Sequence, residues 1–109
     1  KVIMTKDMRE RKATMEKYAD IFVAMPGGFG TFEEIFEIIV AKQLNYHNKP
    51  SVFVNFDGYY DNMLKMFDTV YENRFAKEEM NSLYFVANNL DDMFDYIKSY
   101  APKEFVHKW

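Results

Sequence analysis

Three glycines within four residues, a threonine directly behind them and a glutamate three residues further on make one stretch of this chain chemically conspicuous. It reads Met25-Pro26-Gly27-Gly28-Phe29-Gly30-Thr31-Phe32-Glu33-Glu34. The residues before it, Ile21-Phe22-Val23-Ala24-Met25, form an unbroken apolar run that predicts a strand buried on both faces. The residues after it, Thr31 to Leu44, place Phe32, Ile35, Phe36, Ile39 and Val40 at helical spacing. A buried strand, a glycine turn and a helix N-terminus together suit an anion. Glycine admits positive φ and lets a ligand approach the main chain, and the first helical turn offers unpaired N–H groups at the positive end of the helix dipole. The expected ligand is a phosphate. A plainer account fits the same spacing, since Thr31-x-x-Glu34 matches a capping box and the glycines then only make a tight turn. Spacing alone leans slightly toward that second account.

Two cations lie just upstream. A helix predicted from Met8 to about Tyr18 puts Met8, Met15, Tyr18 and Ala19 on one face, with Arg11 and Lys12 between them. Cations on an inward stripe either reach out to water along their apolar stems or meet an anion, because an unpaired buried charge is costly. The glycine turn that follows the next strand favours the anion.

At every fixed position, Pro26-Gly27-Gly28-Phe29-Gly30-Thr31-Phe32-Glu33-Glu34 resembles the PGGxGTxxE signature of the LOG ("Lonely Guy") family of nucleotide phosphoribohydrolases, also labelled lysine decarboxylase-like. Met8-x-x-Arg11-Lys12 resembles the M-x-x-R-K element that precedes this signature. The resemblance implies that Arg11 and Glu34 are catalytic and that Lys12, Gly27, Gly28, Phe29, Gly30 and Thr31 bind the substrate phosphate. The implied reaction is hydrolysis of the N-glycosidic bond of a purine or cytokinin nucleoside 5′-monophosphate, such as AMP, to free base and ribose 5-phosphate. Such a bond breaks through an oxocarbenium-like state that a carboxylate can stabilise while it orients water. No metal and no organic cofactor is implied. The decarboxylase label gains nothing from the residues, since no lysine is marked as a pyridoxal phosphate anchor. Family members are usually homodimers or larger, so a homodimer or higher homo-oligomer is expected. A non-catalytic nucleotide-binding module is the alternative, with Glu34 as a helix cap, and a purely structural domain is a weaker third.

The other elements must position these groups. Val2-Ile3-Met4 looks like the tail of a strand, and the chain opens without methionine. An upstream half is therefore expected to be missing, in keeping with a signature that falls in the second half of its domain. Asn45 to Pro50 is a turn at the amino edge of a parallel sheet, so His47 is expected to be structural or exposed. Ser51 to Asn55 is the next buried strand. It leads back to the carboxyl edge at Phe56-Asp57-Gly58-Tyr59-Tyr60, where the resemblance continues as N-x-D-G-Y-Y. Asp57 and Gly58 suit turn and cap chemistry, and Tyr59 or Tyr60 is a candidate to line the cleft.

A helix over Tyr59 to Asn73 follows, with Met63, Leu64, Met66, Phe67 and Val70 as its apolar face. Phe75 to Asn81 is a charged connector, Leu83 to Ala87 a short strand, and Asn88-Asn89 the turn into a last helix that ends before Pro102. This alternation predicts an α/β fold: a three-layer Rossmann-like parallel sheet with helices on both faces, the second half of the domain only. The strand at the upstream edge should be covered by the other half or by another chain.

Composition excludes several classes. The chain has 109 residues, 49% of them apolar, which fits one globular domain. A formal charge of −3 argues against nonspecific nucleic-acid binding. The chain has no cysteine for disulfides or thiolate metal sites. No apolar run approaches the roughly 20 residues of a membrane span. A cytoplasmic protein that contacts neither membrane nor nucleic acid is expected. The eight methionines sit at helical core spacings and read as core filler.

Overall fold

The structure, a computed structural model, describes residues 17–102. Arg11, Lys12 and the expected strand tail at Val2 to Met4 lie outside the described residues, as does most of the first predicted helix. Lys17 and Tyr18 are helical.

Three strands, β1 (Phe22–Ala24), β2 (Ser51–Val54) and β3 (Phe85–Ala87), pair in parallel in the order β1-β2-β3. Helix α1 (Phe29–Gln43) connects β1 to β2, and α2 (Asp61–Glu72) lies between β2 and β3. Helix α3 (Leu90–Ser99) follows β3. Parallel neighbours need a crossover, and two crossovers of the same hand that advance along a sheet fall on the same face. Accordingly α1 and α2 cover one face, with Ile35, Phe32, Leu64 and Phe67 packed around Phe22, Ala24 and Phe53. The last helix covers the other, with Met93, Tyr96 and Ile97 against Val52, Val54 and Ala87. The period-2 alternation of β2 sends Phe53 to one layer and its two valines to the other. The expected three-layer parallel α/β architecture is present.

β1 departs from expectation. Phe22 and Ala24 are buried, but Val23 is 37% exposed, because α3 packs over β2 and β3 rather than over the β1 end of that face. Only β2 is closed on both faces. The apolar face of α2 is also narrower than its sequence suggests: Met66 points outward at 62% exposure, while Met63, Leu64 and Phe67 face the core. The connector before β3 contains a 3₁₀ segment, Glu78–Leu83, which buries Met80 and Leu83.

The amino edge of the sheet holds two polar groups that helical spacing alone does not bring out. Lys42 lies on α1 in line with Ile35 and Ile38, the inward face. It is 1% exposed, and its Nζ has no hydrogen-bond partner among the described residues. The ammonium sits 4.8 Å from the Tyr100 ring centroid, a contact that offsets part of its desolvation. Burial pushes the Lys42 pKa down to about 8. His47, expected to be structural or exposed, is structural. Its Nδ1 accepts the Lys49 N–H at 3.1 Å, so the proton resides on Nε2, which donates to the Ile38 carbonyl at 2.9 Å. With both nitrogens committed to backbone, the imidazole ties the end of α1 to the start of β2. Burial lowers its pKa, and the Lys42 and Lys49 charges act in the same direction.

Lys42 should limit stability. The folded state holds its proton less tightly than the unfolded chain does, so stability rises with pH between about 8 and the ordinary value of 10.5. Replacing Lys42 by Met keeps the stem and removes a buried donor that costs about 1–3 kcal/mol when unpaired. Lys42→Met should therefore raise the melting temperature at pH 7 and flatten the alkaline rise, both measurable by thermal denaturation across that range.

Candidate active site

The glycine stretch opens α1. Gly28 is its N-cap, with φ −108° and ψ −154°, and no side chain caps the helix. The first helical hydrogen bond runs from Phe32 N–H to the Gly28 carbonyl at 3.2 Å. The N–H groups of Phe29, Gly30 and Thr31 are thus left without an intrahelical acceptor, as at any helix start. The helix begins two residues earlier than its apolar spacing suggests, and this disposes of the capping box. Thr31 already lies within the first turn and Glu34 a turn beyond the cap, so neither can serve as Ncap or N3 partner in that motif.

The glycines also act differently from expectation. Gly58 is the only described glycine at positive φ (71°), so Gly27, Gly28 and Gly30 are not there to supply left-handed backbone. Gly27 is needed for contact: a Cβ there would collide with the Thr31 side chain. A Cβ on Gly28 or Gly30 would meet nothing within 4 Å. Those two positions leave bare main chain facing open space, where a small anion can reach the N–H groups. The Phe29 ring is 90% exposed and turns its edge to Phe32, so Phe29 offers its backbone rather than its side chain.

Glu34 is exposed, and with Thr31 it borders a cavity of about 180 Å³ closed by Ile21, Val23, Ala24 and Ile38. This cavity runs along the side of β1 that faces away from β2. Thr31 and Glu34 therefore open on one space, and the glycine turn directly precedes Thr31 at the start of α1. Among the described residues, no group of three or more His, Cys, Asp or Glu side chains is arranged to hold a metal ion.

The opposite wall of the loop is built from the segment after β2. Asp57 (φ 52°) and Gly58 (φ 71°) both adopt left-handed backbone in a 3₁₀ turn over Phe56–Gly58, which confirms their turn role. Asn55 accepts the Tyr60 N–H at 2.7 Å and donates to Asp61 at 2.8 Å, fixing the start of α2. Tyr60 is 1% exposed, and its hydroxyl donates to the Met25 carbonyl at 2.6 Å. The Tyr59 hydroxyl donates to the Gly27 carbonyl. Burial and the adjacent Tyr59 push the Tyr60 pKa up, so it remains a protonated donor. The sequence marks these two tyrosines only as cleft candidates. Their grip on the loop backbone spans more than thirty residues of chain, and no local pattern encodes it.

Fold and site together define an α/β protein with a glycine-bearing strand–turn–helix, uncapped at its helix start, at the carboxyl edge of a parallel sheet. The family described as "Possible lysine decarboxylase" matches residues 1–97. A probable cytokinin riboside 5′-monophosphate phosphoribohydrolase LOG4 of Oryza sativa subsp. japonica is 44% identical over 90 residues, which is 83% of this chain and 39% of that protein. The cytokinin riboside 5′-monophosphate phosphoribohydrolases LOG5 and LOG2 of Arabidopsis thaliana are 39% and 38% identical over 93% and 98% of this chain. The chain belongs to this lysine decarboxylase-like, LOG family. It spans 44% and 51% of the two Arabidopsis proteins, about half their length.

Gly30 separates stability from binding. It lies within α1, where glycine costs up to about 1 kcal/mol relative to alanine, and its Cβ position is empty. Gly30→Ala should raise the melting temperature by a few degrees and weaken binding of inorganic phosphate or AMP, as followed by calorimetric titration. Unchanged affinity would place the anion elsewhere.

Proposed function

We propose that the protein hydrolyses the N-glycosidic bond of a purine or cytokinin-type nucleoside 5′-monophosphate, releasing the base and ribose 5-phosphate. The observation that carries this is the uncapped N-terminus of α1, with free N–H groups at Phe29, Gly30 and Thr31 and the Glu34 carboxylate one turn further along the helix, where Thr31 and Glu34 border one cavity. The activity for which the rice and Arabidopsis relatives are named supports the substrate class.

In this mechanism the 5′-phosphate sits on the loop from Gly27 to Thr31, drawn by the N–H groups, the threonine hydroxyl and the helix dipole. Lys12 adds positive charge. Arg11 holds the phosphate or ribose and keeps Glu34 ionised. The carboxylate lies beneath the ribose, where it stabilises positive charge growing at the anomeric carbon. The bond from that carbon to the base nitrogen breaks and its electron pair leaves with the base. Water, oriented by Glu34, adds to the carbon; its proton passes to the carboxylate and then to the departing base. None of these steps calls for a metal or cofactor.

The base pocket is assigned to the part of the relatives' length that this chain does not span, and the assembly to a homodimer or larger homo-oligomer.

Glu34→Gln removes the charge and keeps the shape. Because Glu34 caps nothing, the substitution should leave the melting temperature nearly unchanged. Turnover of AMP or a cytokinin nucleotide by the full-length protein should fall by about 10²-fold or more, with affinity retained. Glu33→Gln, about 100° around the helix, is the matched control and should be close to silent. Parental turnover in both variants would leave the protein a nucleotide-binding module.

A further inference from the structure

The two adjacent tyrosines reach the glycine loop from a different crossover, and each takes a carbonyl oxygen there. Tyr60 binds that of Met25 and Tyr59 that of Gly27. The consequence lies on the far side of each peptide unit. A trans peptide is planar, with C=O and N–H pointing in opposite directions. Holding the Gly27 carbonyl therefore turns the Gly28 N–H away from Tyr59. The Met25 carbonyl precedes Pro26, which has no N–H, so Tyr60 fixes the turn without cancelling a donor.

The Gly27 carbonyl has one other natural partner. In an α-helix it would accept from Thr31 N–H, four residues on, and α1 would begin one residue earlier. That bond is not formed; the first runs from Phe32 to Gly28. The Tyr59 hydroxyl occupies the competing acceptor, and the Thr31 N–H stays free.

The Tyr60 ring is buried in the core, and the half-exposed Tyr59 ring leans on it. Tyr60 packs edge-on against Phe53 and Phe32, with centroids at 5.2 and 6.4 Å, and Tyr59 meets Tyr60 at 5.0 Å. Asn55 fixes the Tyr60 backbone and is itself tied to Asp61. A hydroxyl fixed this way can set the direction of a peptide group, which a mobile surface tyrosine cannot.

We propose that Tyr59 and Tyr60 are positioning residues of the glycine loop: by taking the carbonyls of Gly27 and Met25 they keep the N–H groups of Gly28 and Thr31 turned outward and free for a substrate phosphate. This rests on the phosphate-binding reading above and deepens it. Neither tyrosine touches the reacting atoms. Their effect should therefore appear in binding and not in the chemical step.

Tyr59→Phe retains the ring and removes only the hydroxyl. In the full-length protein, the KM for AMP should rise about three- to tenfold, the scale of one lost neutral hydrogen bond, with kcat within about twofold of parental. The Kd for ribose 5-phosphate, measured by calorimetric titration, should rise by the same factor. Tyr60→Phe should act in the same direction with a lower melting temperature, since it removes the hydroxyl hydrogen bond that ties this buried residue to the Met25 carbonyl. Tyr46→Phe, exposed and at the amino edge, should change nothing. A fall in kcat at constant KM, or an unaltered Kd in both Tyr59→Phe and Tyr60→Phe, overturns the proposal. Parental protein that binds ribose 5-phosphate without cleaving AMP defeats the glycosidase reading alone, and the Kd values then decide. Parental protein that binds no ribose 5-phosphate defeats the positioning proposal.

Discussion

All four residues of β2 are shut off from water, and the rest of the architecture follows from that constraint. A strand so placed must have a paired neighbour on each side and a helical layer on each face. β1 and β3 supply the pairs, α1 and α2 one layer, α3 the other. Phe53 is the centre of the thicker layer. Its ring meets those of Tyr60, Phe67 and Tyr84 at centroid distances of 5.2 to 6.2 Å. Burying such a ring contributes about 1.5–3 kcal/mol, and each well-placed aromatic pair about 0.5–1.5 kcal/mol more. Through Tyr60 this cluster extends to the Met25 carbonyl, so the glycine loop is held by the hydrophobic core itself.

The two edges of the sheet are used differently. At the carboxyl edge, unpaired donors face open space, where water or an anion satisfies them, so the bare start of α1 costs little in the absence of ligand. At the amino edge, Lys42 Nζ and Ser51 Oγ are buried without hydrogen-bond partners among the described residues. There the penalty is real, and the Tyr100 ring recovers only a part of it. His47 represents the opposite solution at the same edge, a polar ring fully committed to backbone.

Element order, parallel topology and the placement of the glycine stretch were legible because they follow from hydrophobic periodicity and from the Pro-Gly-Gly-Phe-Gly-Thr string. Element ends were less so. Thr31 looks like a cap from its spacing to Glu34, yet the Gly28 carbonyl accepts the first helical bond and places Thr31 inside the helix. The glycines suggested left-handed backbone, but what they provide is contact at Gly27 and bare main chain at Gly28 and Gly30. Lys42 escaped notice because a lysine in the last turn of a helix ordinarily points to solvent and complements the dipole. The tyrosine grip on the loop escaped it too, since hydrogen bonds between distant segments leave no trace in periodicity. The assignments of Arg11 and Lys12 rest on the family motif, as those residues lie outside the described part of the chain.

The register of the sheet bears on how the chain reaches this state. Phe22 pairs with Ser51 and Val52 with Phe85, partners about thirty residues apart in each case. Neither strand pair can form until a whole crossover has been closed, and the closure entropy is lost before any ladder hydrogen bond returns it. Among the described residues both strand pairs are parallel, so no hairpin offers a local starting point. Such an order favours a nucleus of β2 with one helix docked on Phe53, and the glycine loop gains its Tyr60 hydrogen bond only once both crossovers are in place.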